Sequence, residues 1–119
     1  MEVRNRQEAN AFTTLDGSTI RVLLDSALGG AREQSLAEAS LPAGGSTRRH
    51  YHARTEEIYV VLEGSGEMEV GGDRRGVVVG DAILIPPGAW HEIRAGDGGE
   101  LRFLCCCAPP YSDEDTFFE

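Results

Sequence analysis

Turn-forming residues interrupt this chain so often that no long element fits between them. Glycine occupies 15 positions and proline five, grouped at Gly29-Gly30, Pro42 to Gly45, Gly64 to Gly66, Gly71-Gly72, Gly80, Pro86 to Gly88 and Gly96 to Gly99. Glycine reaches positive φ without steric cost and proline lacks a backbone donor, so each group marks a reversal or an element end. The intervals run Thr19 to Leu24, Glu57 to Leu62, Glu67 to Val70, Gly76 to Val79, Ala82 to Ile85 and Leu101 to Cys107, several rich in β-branched or aromatic residues. Such runs predict strands, and many short strands with frequent turns predict an all-β sandwich, jelly roll or small barrel. Ala31 to Leu41 (AREQSLAEASL) resists this reading, being rich in helix formers. Its second half alternates Ala37, Ala39 and Leu41 with Leu36, Glu38 and Ser40, which predicts a strand there.

At 119 residues, 40% hydrophobic and 26% charged, the chain matches one folded unit, residues 1–119. No apolar run approaches the ~20 residues a membrane helix needs, and Met1 to Asn10 is polar, so the expected setting is cytoplasmic and away from membranes. All 11 basic residues are arginine, against 20 acidic residues, for a net charge of −9. The lack of lysine excludes Schiff-base and phosphate-loop lysine chemistry, and the acidic balance argues against nucleic acid as a partner. Cys105, Cys106 and Cys107 are consecutive, without the spacing of a zinc ribbon or a disulfide framework, and read as reduced strand residues. Alternation places Leu101, Phe103, Cys105 and Cys107 on one face and Arg102, Leu104 and Cys106 on the other, so at most two thiols face inward. The acidic end from Tyr111 to Glu119 carries Phe117 and Phe118. We expect residues 108–119 to be partly ordered, with part of them docked on the barrel or on a partner chain and a free tail as the alternative, and Asp113 and Glu114 solvated.

The three histidines occupy two places, His50 with His52 and then His91. The i, i+2 spacing of the first pair aims both imidazoles from one strand face. Glu57 follows after room for a turn through Arg54 and Thr55, and His91 follows the Pro86-Pro87-Gly88 turn, so both can reach the same spot from other strands. Two or three imidazoles with a carboxylate suit a borderline divalent cation such as Fe, Mn, Ni or Zn. A His-x-His pair alone also fits an exposed strand pair, so the residues leave both readings open.

The wider spacing is more specific. Gly44, five residues, His50-Tyr51-His52, four residues, Glu57, six residues and Gly64 resemble the first motif of the cupin superfamily. Gly80, five residues, Pro86-Pro87-Gly88, two residues and His91 resemble the second. The last fixed position departs: the family often has Asn where this chain has Ala95. The motif-bearing core spans 44–95, and Ser65 to Val79 between the motifs leaves room for a hairpin and no inserted element. The resemblance implies a double-stranded β-helix, the jelly-roll barrel of a small single-domain cupin, with metal ligands His50, His52, Glu57 and His91. Glu56 is the rival carboxylate, but the six-residue step to Gly64 selects Glu57. A homodimer is implied on the same ground, and a metal-free barrel is the alternative.

Around that site, Arg48 shares the His50 face if strand alternation extends back to it, and there could hold a carboxylate by a bidentate contact; a solvated arginine is the other reading. Tyr59 and Val61 share the Glu57 face, so Tyr59 is a candidate for orienting substrate or moving a proton, or a packed core residue. Phe103 is a candidate substrate wall. Trp90, beside His91, is expected at the barrel mouth or a subunit contact. These residues point to a metal-dependent enzyme on a small, possibly anionic, organic molecule, acting as an oxygenase or as an isomerase, epimerase or lyase. A non-catalytic small-molecule binding or sensor module is the alternative.

Overall fold

The computed structural model describes all residues, Met1–Glu119. Eleven strands follow in order: β1 (Phe12–Thr13), β2 (Thr19–Leu24), β3 (Ser35–Leu41), β4 (His50–His52), β5 (Glu56–Glu63), β6 (Ser65–Val70), β7 (Asp73–Val78), β8 (Ala82–Ile85), β9 (His91–Ala95), β10 (Leu101–Ala108) and β11 (Thr116–Phe118). They form two antiparallel sheets, ordered β1-β2-β3-β10-β5-β8 and β11-β4-β9-β6-β7. The result is a jelly roll, all-β as expected, whose sheets face each other without a shared ladder. Only two three-residue 3-10 turns interrupt the strands, and no helix is long and apolar enough to cross a membrane.

Period-two alternation decides which side chains fill the space between the sheets. Glu57, Tyr59 and Val61 of β5 are buried while Glu56 and Ile58 are exposed. Leu101 and Phe103 of β10 stand opposite Leu41 and Ala39 of β3 and join Met68, Val77, Ile85 and Ile93 in the core. Phe103 is 1% exposed; truncating such a ring costs about 3–5 kcal/mol through lost burial and the cavity left behind. Ala95, the position where the motif departs from Asn, is 2% exposed and packs in this core opposite Gly66.

The sheet overrides helix propensity in β3. Ser35–Leu41 lies between β2 and β10, so its backbone is paired on both edges, and its small alternating residues Ala39 and Ala37 stand opposite Phe103 and Cys105. The strand begins only at Ser35, which agrees with the alternating half of that segment. The run expected to start at Gly76 starts earlier, at Asp73, because β6 and β7 form a continuous hairpin from Ser65 to Val78. Its polar first half, Asp73 to Arg75, is solvent-exposed at a sheet edge and carries no apolar alternation.

Gly64 turns β5 into β6 at φ +81°, and a Cβ there would drive into the carbonyl oxygen of Glu100. Both the left-handed backbone and the close approach require glycine. The C-terminal segment is docked rather than free. Asp115, 6% exposed, accepts hydrogen bonds from the amides of Arg54 (3.1 Å) and Thr55 (3.0 Å), and β11 then pairs along β4.

Candidate metal centre

The strand β4 carries His50 and His52 inward, both buried, and His91 at the start of β9 pairs directly with His50. Ring centroids lie 4.2 Å apart for His50 and His91, 5.2 Å for His50 and His52, and 5.4 Å for His52 and His91. Each imidazole can offer a nitrogen within 4.8 Å of the other two. Glu57 enters from β5 in the opposite sheet; its Oε1 lies 3.2 Å from His52 Nε2 and 3.5 Å from His91 Nε2. The structure thus brings together all four residues that the motif spacing selected.

Hydrogen bonds at the far side of each ring orient these nitrogens. His50 Nδ1 lies 2.6 Å from the Arg48 carbonyl, and His91 Nδ1 lies 3.0 Å from the Ala89 carbonyl. A carbonyl only accepts, so each Nδ1 carries the proton and each Nε2 presents a lone pair. His52 Nδ1 meets Thr116 Oγ1 at 3.2 Å, and that hydroxyl donates to the Ser112 carbonyl at 2.9 Å. With its own proton committed, Thr116 accepts from His52, which fixes the third ring in the same sense.

The residues fit a cation on a structural observation of their own. Only three buried side-chain polar atoms lack a hydrogen-bond partner, and two of them, Glu57 Oε1 and His91 Nε2, face each other here. Two donors at right angles on bonds of about 2.1 Å stand about 3.0 Å apart, close to the spacings observed. Electrostatics agree. Burial alone would raise the Glu57 carboxyl, yet His52 and His91 outweigh it and hold the group below the ordinary carboxylate range. Burial pulls His52 down, but Glu57 beside it lifts its pKa above the usual value; burial and then His91 push His50 down. The point between His52, His91 and Glu57 therefore attracts positive charge, which a proton or a metal ion can supply.

A cavity of about 520 Å³ opens onto the centre, within the roughly 300–1,000 Å³ of small-molecule sites. His50, His52 and Glu57 form one part of its wall; Tyr59, Phe103, Cys105 and Cys107 form another; Asp16, Tyr111, Thr116 and Phe118 also line it. Tyr59 is packed 4.6 Å from Phe103 and 6.2 Å from His91 by ring centroid, so it is both core residue and cavity wall. Burial, then the Glu57 charge, keeps both the Tyr59 phenol and the Cys105 thiol protonated well above their ordinary pKa values. Cys107 donates from Sγ to Glu57 Oε2 at 3.1 Å, and burial likewise pushes its thiol up. Cys105 and Cys107 face inward while Cys106 faces Gln34 on the outside, as alternation requires.

Arg48 lies elsewhere. β4 begins only at His50, so alternation does not carry back to Arg48; its exposed guanidinium sits 4.4 Å above the Phe118 ring and does not line the cavity. Trp90 packs edge-on to Tyr51 at 4.7 Å, under Arg49, on the side of β4 away from the histidines. Asp113 is exposed, but it also lines the cavity and accepts from the Tyr111 hydroxyl at 2.9 Å. Sequence reasoning did not single out Asp16 or Thr116, and it named Phe118 for docking of the C-terminal end rather than as a cavity wall. They approach the site only through long-range docking of the β1–β2 turn and of β11, which no local spacing encodes.

A two-sheet jelly roll with imidazoles converging at the wall of a cavity between its sheets defines a class of small β-barrel proteins built around an internal site. The chain belongs to the cupin family: the cupin domain matches residues 37–107. It is 46% identical over 105 residues to the uncharacterized protein MJ1618 of Methanocaldococcus jannaschii, covering 88% of this chain and 84% of that one. The polyketide cyclase RemF from Streptomyces resistomycificus is 30% identical, with a TM-score of 0.78 over 97% of this chain and 89% of that chain. A Streptomyces PAC13 structure with uridine shares the fold at 16% identity, with a TM-score of 0.81 over 100% and 91% of the two chains.

Proposed function

We propose that this protein is a metal-dependent enzyme acting on a small organic molecule, with a divalent cation (Fe, Mn, Ni or Zn) held by His50, His52, His91 and Glu57, and that its chemistry is non-redox, of the isomerase, epimerase or lyase kind. The carrying observation is the convergence of three orientation-fixed imidazoles and an orphaned carboxylate oxygen, with His50, His52 and Glu57 in the wall of a 520 Å³ cavity and His91 buried directly behind them. When bound, such a cation supplies Lewis acidity toward a substrate oxygen.

The chain's own residues do the rest. Tyr59, kept a neutral phenol, is suited to donate a hydrogen bond to substrate rather than to act as a base. Phe103 and the surrounding apolar wall keep water from the reacting atoms. Cys107 steadies the far oxygen of Glu57 and leaves Oε1 turned to the imidazoles. The name of the RemF relative, a cyclase, points to the non-redox branch. For the assembly we propose a homodimer through the outer face of β5 and β8, where Ile58 (39% exposed) stands opposite Leu84 (57% exposed).

The test is elemental analysis of tag-free protein, wild type against His52→Ala, with oxygen uptake measured across a substrate panel. One equivalent of divalent metal, lost in the variant, with no oxygen uptake, is expected. No metal after reconstitution overturns the metal reading and leaves a binding module. Iron with substrate-dependent oxygen uptake overturns the non-redox assignment.

A further inference from the structure

The lining of the cavity limits the charge of what it can hold. The chain has 11 positive side chains, all arginine, and none of them lines the cavity. Asp16, Asp25 and Asp113 do line it, in addition to Glu57 at the metal centre. Anionic groups are held in proteins by guanidinium forks, ammonium groups or the amide ends of helices. The first two are absent from this wall and the third from the whole fold, which has no α-helix. The remaining wall is mainly apolar: 13 of 24 lining residues are hydrophobic, among them Ile20, Val22 and Phe103.

Asp16 shares the cavity wall with Tyr59, Cys105 and His50. Its Oδ1 is held by the Ser18 amide (2.9 Å) and hydroxyl (2.6 Å), so the charge is fixed in place rather than swinging into solvent.

Resting on the metal reading above, we propose that the ligand has an oxygen-bearing head that reaches the metal centre and a body free of anionic groups, apolar with at most hydroxyl or amine substituents. A phosphate, sulfate or carboxylate on the body would be desolvated among carboxylates with no cation to receive it. Sugar phosphates and dicarboxylates are thereby excluded as a class, and neutral ring compounds and polyols are admitted.

The experiment uses two chelators with the same head, benzohydroxamic acid and 4-carboxybenzohydroxamic acid, titrated into Co(II)-loaded full-length protein and read by the cobalt d–d absorption. The neutral compound should bind about ten-fold more tightly, a difference of roughly 1.4 kcal/mol, and the gap should shrink in Asp16→Asn and at high salt. Equal or tighter binding of the carboxylated compound overturns the inference. So does a cobalt spectrum that neither compound alters, because the cavity then does not lead to the metal. Failure to load cobalt is seen before any chelator is added and defeats the metal reading itself.

Discussion

Replacing Thr116 with valine removes one hydrogen-bonding oxygen and keeps the side-chain shape. That oxygen accepts from His52 Nδ1 at 3.2 Å and donates to the Ser112 carbonyl at 2.9 Å. His52 is 4% exposed, so water has little room to replace it, and an unpaired buried donor costs about 1–3 kcal/mol. The ring can escape that cost by moving its proton to Nε2, where Glu57 Oε1 waits at 3.2 Å. In that tautomer the nitrogen aimed at the metal point carries a hydrogen and no lone pair. Partners that orient a ligating histidine are commonly worth about 10–100-fold in metal affinity, which is roughly 1.4–2.7 kcal/mol. The assay is a zinc competition titration against a chromophoric chelator, with metal-free thermal unfolding measured alongside. Thr116→Val should lose affinity in that range, and Thr116→Ser, which restores the oxygen, should recover it. Unchanged zinc affinity in Thr116→Val would refute the reasoning, because a purely structural role moves the melting temperature and leaves the tautomer alone.

Gly64→Ala forces a side chain into the Glu100 carbonyl at a left-handed backbone position and should cost at least about 2 kcal/mol, read as a lowered urea midpoint. At Asp115 burial works to raise the carboxyl, but the amides of Thr55 and Arg54 outweigh it and hold its pKa below the ordinary value. A depressed folded pKa gives stability that is present above the unfolded value of about 3.9 and lost as pH falls through the folded one. The deficit of Asp115→Asn in thermal unfolding should therefore be full at neutral pH and close in acid below about pH 3.9; a deficit constant with pH would contradict it. Leu84→Glu puts a charge on the exposed face of β8 opposite Ile58 and should yield monomers in sedimentation velocity with the fold intact, whereas an unchanged dimer would place the interface elsewhere.

The fold was legible wherever glycine, proline and alternation act locally. Thr19–Leu24 and Ala82–Ile85 are bounded by turn residues and coincide with β2 and β8. Gly64 and Gly80 take positive φ where the chain reverses, as the spacing of strand-like runs implies. The strands that escaped notice, β1 and β11, are two and three residues long, too short for any period to register. β11 exists because β4 offers it a free edge and Asp115 anchors the chain just before it on the amides of Arg54 and Thr55. That is tertiary information, and no window of sequence around Thr116 contains it.

The site divides along the same line. His50, His52, Glu57 and His91 were recoverable because their spacing to Gly44, Gly64, Gly80 and Pro86-Pro87-Gly88 resembles the cupin motifs, whereas alternation alone left the histidine pair open to an exposed-strand reading. Arg48 shows where that logic stops. Alternation is a property of paired backbone, and β4 pairs only from His50, so the residue two positions upstream turns outward onto Phe118. The consequence reaches function: the one cation that spacing could have supplied to the cavity is outside it, and the charges that line it are Asp16, Asp25 and Asp113 from turns and bridges of no regular period. The four candidate ligands lie on strands, whereas the acidic residues of the cavity wall lie in the segments between them. That division is why the sequence alone offered Arg48 as an anion contact beside the reading of a solvated arginine, while the assembled cavity, which Arg48 does not line, presents an anion with no guanidinium.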